Sequence, residues 1–167
     1  SLYHNMVRGP FRNSYTVGTK LIIGCVDNPA ARAEIAGALE GYTGDWWLDA
    51  GNGRYSGQVL IGNTDQEYQP EGAFTEYEPG DGEVDGECFA LPLPSVQLPE
   101  LLAPRPLEDA PRLDCAEAVE LGGQSPVINQ AMAVWVLEFV RRFLGGELSW
   151  MGVYLDLEAG TTRAVEA

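Results

Sequence analysis

An α/β fold built on a mixed sheet is what this sequence predicts, and three patterns predict it. A continuous apolar run closes on a helix start, two further strand-like runs follow that helix at once, and a long apolar helix leads into a terminal hairpin. The first run is Lys20-Leu21-Ile22-Ile23-Gly24-Cys25-Val26, bounded by Asp27-Asn28-Pro29. Its length and its lack of alternation suit a strand buried on both faces of a parallel sheet, with Cys25 in the core. Asn28-Pro29 opens a helix, because a proline in the first turn removes only an N–H that would have no partner there. Ala30 to Leu39 is alanine-rich helix-forming material, and Gly41 is its expected stop.

Asp45-Trp46-Trp47-Leu48-Asp49-Ala50 reads as the second strand and Ser56 to Gly62 as the third. Strand, helix and strand within this span make a right-handed βαβ unit. The short Gly51-Asn52-Gly53 connection then turns the third strand back antiparallel.

The segment 63–104 differs in kind. No Lys or Arg lies between Arg54 and Arg105, while ten Asp and Glu do. This predicts a long acidic crossover loop, either plainly solvated or docking a basic patch on a partner, with Phe89 to Leu102 and its three prolines lying extended over the surface. Residues 1–19 show no period and read as an irregular start.

A helix over 126–144 comes next. Glu138, Arg141, Arg142 and Gly145 define one narrow polar face, so the spacing predicts extensive burial of the rest. One side is expected to pack on the local sheet while another still needs a partner. Gly145-Gly146 ends the helix. Trp150 to Leu157 and Thr161 to Val165 flank Glu158-Ala159-Gly160 as a hairpin. Trp46, Trp47 and Trp150 are expected as core and interface aromatics. The whole chain, 1–167, is read as a single domain.

Composition excludes some functions. The net charge is −15 with only ten Lys and Arg in the chain, which argues against a nucleic-acid partner, since phosphates are neutralised by those cations. No apolar run reaches the length of a membrane span. The N-terminus has no secretory pattern and begins without Met, as a cut or trimmed end would. The three cysteines are far apart and odd in number, which speaks against a disulfide framework and for a cytoplasmic location. Zinc is not expected, because a closed site needs four ligands and neither Cys-x-x-Cys pairs nor lone His4 supply them.

Three segments, in this order, resemble the ThiF/MoeB superfamily of enzymes that activate ubiquitin-like and sulfur-carrier proteins. Cys25-Val26-Asp27-Asn28-Pro29-Ala30-Ala31-Arg32 is similar to that family's strand–Asp–Asn–x–x–x–Arg element. Trp47 to Gly53 followed by Ser56-Gly57-Gln58-Val59 is similar to the strand–turn–Gly-Gln–strand that comes next. Asp114-Cys115-Ala116-Glu117-Ala118, then Ile128-Asn129-Gln130-Ala131, resembles its cysteine-bearing crossover and helix. The wording is similar to the plasmid-associated ThiF-like proteins of the PRTRC gene system.

The resemblance covers the chain from about Lys20 onward and implies the C-terminal half of a Rossmann-like activating-enzyme fold. It implies ATP and magnesium as cofactors, a ubiquitin-like or sulfur-carrier protein as substrate, and a homodimer or association with a missing half. It also implies adenylation of the carrier C-terminus with release of pyrophosphate. The family's Gly-rich phosphate loop, ribose-binding acid and triphosphate-gripping cations should precede residue 20, where no such motif stands, so weak ATP binding by these residues alone is expected. The competing expectation is a non-catalytic carrier-binding or dimerisation module.

For individual residues the resemblance implies a magnesium site at Asp27, nucleotide contacts at Asn28 and Arg32, and a thiol at Cys115 that accepts the activated carrier or passes sulfur. Each has a structural alternative. Asp27 sits at the C-terminal end of a strand, where open α/β sheets bind ligands, but it also has the position of a helix cap. Asn28 can serve the helix start, Arg32 a surface ion pair, and Cys115 a structural role; nucleophilic work at Cys115 requires a lowered thiol pKa and exposure.

Overall fold

The computed structural model describes residues 20–39, 45–65, 90–103 and 125–166. Five strands form one mixed sheet in the order β1 (Leu21–Gly24), β2 (Trp46–Asn52), β3 (Ser56–Gly62), β4 (Gly152–Asp156), β5 (Thr161–Val165). β1 and β2 are parallel, with Leu21 opposite Trp46 and Gly24 opposite Asp49. The remaining pairs are antiparallel. Helix α1 (Pro29–Ala38) makes the crossover from β1 to β2. A short helix α2 (Pro94–Gln97) and a 3₁₀ turn (Pro99–Leu101) follow β3, and α3 (Pro126–Gly145) precedes β4. The expected βαβ unit, the antiparallel return of the third strand and the terminal hairpin are all present.

Local chemistry sets the ends of these elements. Asn28 caps α1, its Oδ1 accepting from the Ala31 N–H at 2.7 Å, and Pro29 takes the first turn. Ser125 caps α3, and Gly146 ends it in the left-handed region at φ 68°, which a residue without Cβ adopts at no steric cost. In the β4–β5 turn the Asp156 carboxylate accepts from the N–H groups of Glu158 and Ala159 at 2.9 and 3.0 Å. Gly160, at φ 65°, completes the reversal.

Two layers cover the sheet. On one face α3 lays Ile128, Met132, Phe139 and Phe143 against Trp46, Leu48, Val59, Ile61 and Val153 in the main core. Trp46 meets Phe143 edge-on at 5.4 Å. On the other face Ile35 and Ala36 of α1, its C-cap Leu39, and Leu93 and Val96 around α2 enclose Trp47. Burying side chains of this size contributes about 1.5–3 kcal/mol each, which is why the two central strands anchor the fold.

Three expectations are corrected here. β1 is not buried on both faces: it is the edge of the described sheet, and Ile23 is 47% exposed. The strands buried on both faces are β2 and β3. The segment after residue 89 does not run extended over the surface. Leu91 and Leu93 are fully enclosed, Asn63 and Leu91 exchange hydrogen bonds, and Gln97 Nε2 donates to the carbonyls of Ile61 and Pro92. Gly62 lies so close beneath the Pro92 carbonyl that any Cβ there would overlap it. Nor is the long helix extensively buried. Only four of its residues are in the core, and Val127, Val134, Leu137 and Leu144 face outward. The period gave the core stripe, but apolar character alone did not report which residues meet the sheet. No helix among the described residues is long and apolar enough to cross a membrane.

Candidate functional site

The parallel strands β1 and β2 end side by side, and beyond their C-terminal ends the chain leaves an open cleft of about 810 Å³. Its position follows from topology. The crossover helix starts on one side of β1, α3 lies across the other face of the sheet, and the two layers diverge at the strand ends, the place where open α/β sheets hold ligands. The volume is within the range of small-molecule sites, roughly 300–1,000 Å³.

The β1–α1 loop supplies the acidic rim. Asp27 is exposed and lines the cleft. It is not the helix cap, since Asn28 takes that role, and Asn28 Nδ2 lies 3.4 Å from Asp27 Oδ1. Asn28 thus serves the helix start, as its structural alternative expected, whereas Asp27 does not act as the cap. Cys25 is also exposed and at the cleft, correcting its expected place in the core: β1 stops at Gly24, so the thiol lies beyond the strand. Cys115 lies outside the described residues.

Arg32 is corrected more sharply. It is no surface residue but 3% exposed, and its Nε donates to both carboxylate oxygens of Asp49, at 3.0 and 3.1 Å. Asp49 is fully enclosed in β2. Burial pushes its carboxyl above the ordinary range, and the Arg32 guanidinium pulls it part of the way back. The sequence held a signal for this pair. A carboxylate within Trp46-Trp47-Leu48-Asp49 must find a cation inside the fold, and Arg32, one turn into the helix that crosses to that strand, is placed to provide it. The pair ties α1 to β2. A Cβ at Gly51 would come within 2.9 Å of Arg32 Nη2 and 2.5 Å of Gln58 Nε2, so the missing side chain leaves room for both groups at the cleft floor.

Carboxamides make up the rest of the polar lining. Asn52, at the end of β2, donates from Nδ2 to Asn129 Oδ1 on α3 at 2.6 Å, and Gln58 stands beside them. Gln58 and Asn129 are within the motif segments, but nothing in a linear sequence shows that α3 brings Asn129 to Asn52. The third wall is apolar, with Met132, Val136 and Leu137 of α3 facing Leu98 and Leu101.

No protein-family model matches this chain, and no curated protein matches it.

The lining decides which groups fit. Magnesium is held by one or two carboxylates plus substrate phosphates, and Asp27 offers one such carboxylate at an exposed position. Among the described residues no cluster of three His, Cys, Asp or Glu stands ready as a full protein cage. The triphosphate finds less. Among the described residues the cleft's acids are Asp27 and Glu100, and its one Arg or Lys is Arg32, engaged by Asp49. These residues fit the metal end of a nucleotide and not the grip on its phosphates.

Proposed function

We propose that this chain contributes the metal-holding and carrier-facing part of a ThiF/MoeB-type adenylating site. The reaction is ATP-dependent adenylation of the C-terminal carboxylate of a ubiquitin-like or sulfur-carrier protein, with pyrophosphate released. The observation that carries the reading is Asp27: a carboxylate in the loop beyond β1, relieved of capping by Asn28 and lining an open cleft that the buried, Asp49-bound Arg32 also borders. Magnesium, when bound, would offset charge on the phosphates. Asp27 would hold that ion, Asn28 and Arg32 anchor the start of the helix that follows it, and the amides of Asn52, Gln58 and Asn129 suit the peptide groups of an extended carrier tail. Cys115 as an acyl or sulfur acceptor belongs to the same proposal. The cations that hold the triphosphate come, on this reading, from outside the described residues.

A second reading, a carrier-binding module that makes no adenylate, draws on the absence of an uncommitted Arg or Lys from the described cleft. ATP–pyrophosphate exchange separates the two. The chain is assayed with a ubiquitin-like protein ending in Gly-Gly, alone and mixed with a polypeptide bearing a Gly-x-Gly-Gly-x-Gly phosphate loop. Adenylation predicts exchange in the mixture and its loss in Asp27→Asn. Calorimetry with Mg-ATP and the chain alone should give no micromolar signal. Carrier binding without exchange in any mixture supports the module, and exchange that survives Asp27→Asn removes Asp27 from the site.

A further inference from the structure

The pairing of Arg32 with Asp49 uses only one of the guanidinium nitrogens. Nε alone donates to the carboxylate, at 3.0 and 3.1 Å. A guanidinium carries five N–H groups, so four remain on the two terminal nitrogens. Among the described residues those four make no hydrogen bond, although Arg32 is 3% exposed. They are not sealed in: the one enclosed side-chain polar atom without a partner among the described residues is Trp47 Nε1. Arg32 lines the cleft, so its free end opens there. Buried polar groups of a folded protein are nearly always hydrogen-bonded, and four donors held at a cleft floor call for an acceptor brought from outside.

A second group converges on the same place. Gln58 is half-buried at the cleft, and its carboxamide likewise has no hydrogen-bond partner among the described residues. Gln58 stands opposite Gly51 across β3 and β2, on the same face of the sheet. A Cβ on Gly51 would lie 2.9 Å from Arg32 Nη2 and 2.5 Å from Gln58 Nε2. Both donors therefore stand over this glycine, close enough for one acceptor atom to reach them. Charge selects that acceptor. Asp49 balances the guanidinium, and Asp27 and Glu100 leave the described lining acidic, so an anion gains little attraction here. A neutral carbonyl needs only the donors, and Gln58 Oε1 can accept from the N–H of the same ligand amide. Met132, Val136 and Leu137 of α3, with Leu98 and Leu101, supply apolar surface in the same cleft.

We infer that Arg32, Gln58 and Gly51 form a subsite for a neutral amide borne on an apolar body. The ligand's carbonyl oxygen accepts from Arg32 Nη2 and Gln58 Nε2 in the space that Gly51 leaves, and its hydrocarbon part lies on the apolar wall. The subsite uses neither nucleotide, metal nor Asp27, so it can fail while adenylation holds, and the reverse.

NMR titration of the full chain with isovaleramide tests it, beside isovalerate, the same hydrocarbon ending in a carboxylate. Isovaleramide should bind saturably, shift the Arg32 side-chain signals, and bind about tenfold more tightly than isovalerate, whose charge meets an acidic lining. Gln58→Leu should weaken amide binding by about fivefold, the loss of one neutral hydrogen bond. Gly51→Ala puts a methyl group where the two donors converge. It meets only the ends of flexible side chains, so the chain should fold, by far-UV circular dichroism, and bind the amide more weakly still. Gln58→Glu supplies an acceptor from within the chain and should abolish binding. No saturable binding of isovaleramide overturns the inference. So does isovalerate binding equally well, affinity unchanged in folded Gly51→Ala and Gln58→Leu, or a Gln58→Glu chain that still takes the amide.

Discussion

Two ion-pair systems brace this fold, one beneath the cleft and one at the end of α3, and they work under opposite conditions. Arg32 and Asp49 are both removed from water and have little but each other. At the helix end, Glu138 takes hydrogen bonds from Arg141 at 2.9 Å and Arg142 at 2.7 Å, and Arg141 reaches on to Glu147 at 2.7 Å. Arg142 also lies over the Trp150 ring at 3.9 Å. Here there are more contacts, yet each member is at least partly open to water, which can replace a lost partner. The comparison teaches that dependence on a pair is set by what each member would face alone, not by how many contacts it makes.

The largest effect therefore belongs to Arg32. Replacing it with Met leaves the Asp49 carboxylate enclosed with no counter-charge, which should cost about 3–5 kcal/mol. The double variant Arg32→Met, Asp49→Leu removes both charges and should recover most of that loss, since a well-packed apolar pair is often as stable as the ions it replaces. Thermal or urea unfolding of both variants gives the comparison directly. A single variant that costs under about 1 kcal/mol would mean that water reaches Asp49 and that the two regions do not differ in kind.

Acid titration sharpens the contrast, because the two carboxylates respond with opposite sign. Burial raises the folded pKa of Asp49 above its ordinary 3.8. Such a group favours the folded state most below the ordinary value, and that contribution is lost as pH rises through the raised one. The difference in stability between Asp49→Asn and wild type should therefore change across the interval above pH 3.8, with wild type losing ground as pH rises. If the difference instead runs the other way, the pull of Arg32 exceeds the cost of burial.

How much of this was legible in the sequence depended on whether the signal was local. The βαβ unit, the antiparallel return and the hairpin were, because Asn28-Pro29 and Glu158-Ala159-Gly160 each mark a turn within a few residues, although the return itself falls at 53–55 and Gly51 and Asn52 belong to β2. The linear pattern puts Asp27 at a strand end, whereas β1 stops at Gly24 and leaves it in the loop before α1. What was not legible depended on distant packing. Apolar Val134 and Phe139 look alike in a linear pattern, and only the position of the sheet makes one a surface residue and the other core. Arg32 looked like a solvated helix residue until β2 brought Asp49 beneath it. The leucines after residue 89 looked like surface because their prolines forbid regular structure, yet the Asn63 and Gln97 side chains satisfy the backbone there and let it be buried.

The smallest effect is expected at Glu138, and its sign is the reverse of that at Asp49. Hydrogen bonds from Arg141 first, then Arg142, lower its carboxyl from 4.5 to about 2. A group with a depressed folded pKa stabilises the protein above its ordinary value, and that contribution is lost as pH falls through the lower one. Glu138→Gln should therefore leave stability almost unchanged in high salt near neutral pH, where exposed pairs are screened. In low salt it should flatten the decline of stability between pH 4.5 and about 2 relative to wild type. The same titration at both ionic strengths provides the internal control. A pair in water fades with added salt, and the pair beneath the cleft, screened far less, should not. Equal salt sensitivity at Glu138 and Asp49 would place both systems in the same environment and end the contrast between them.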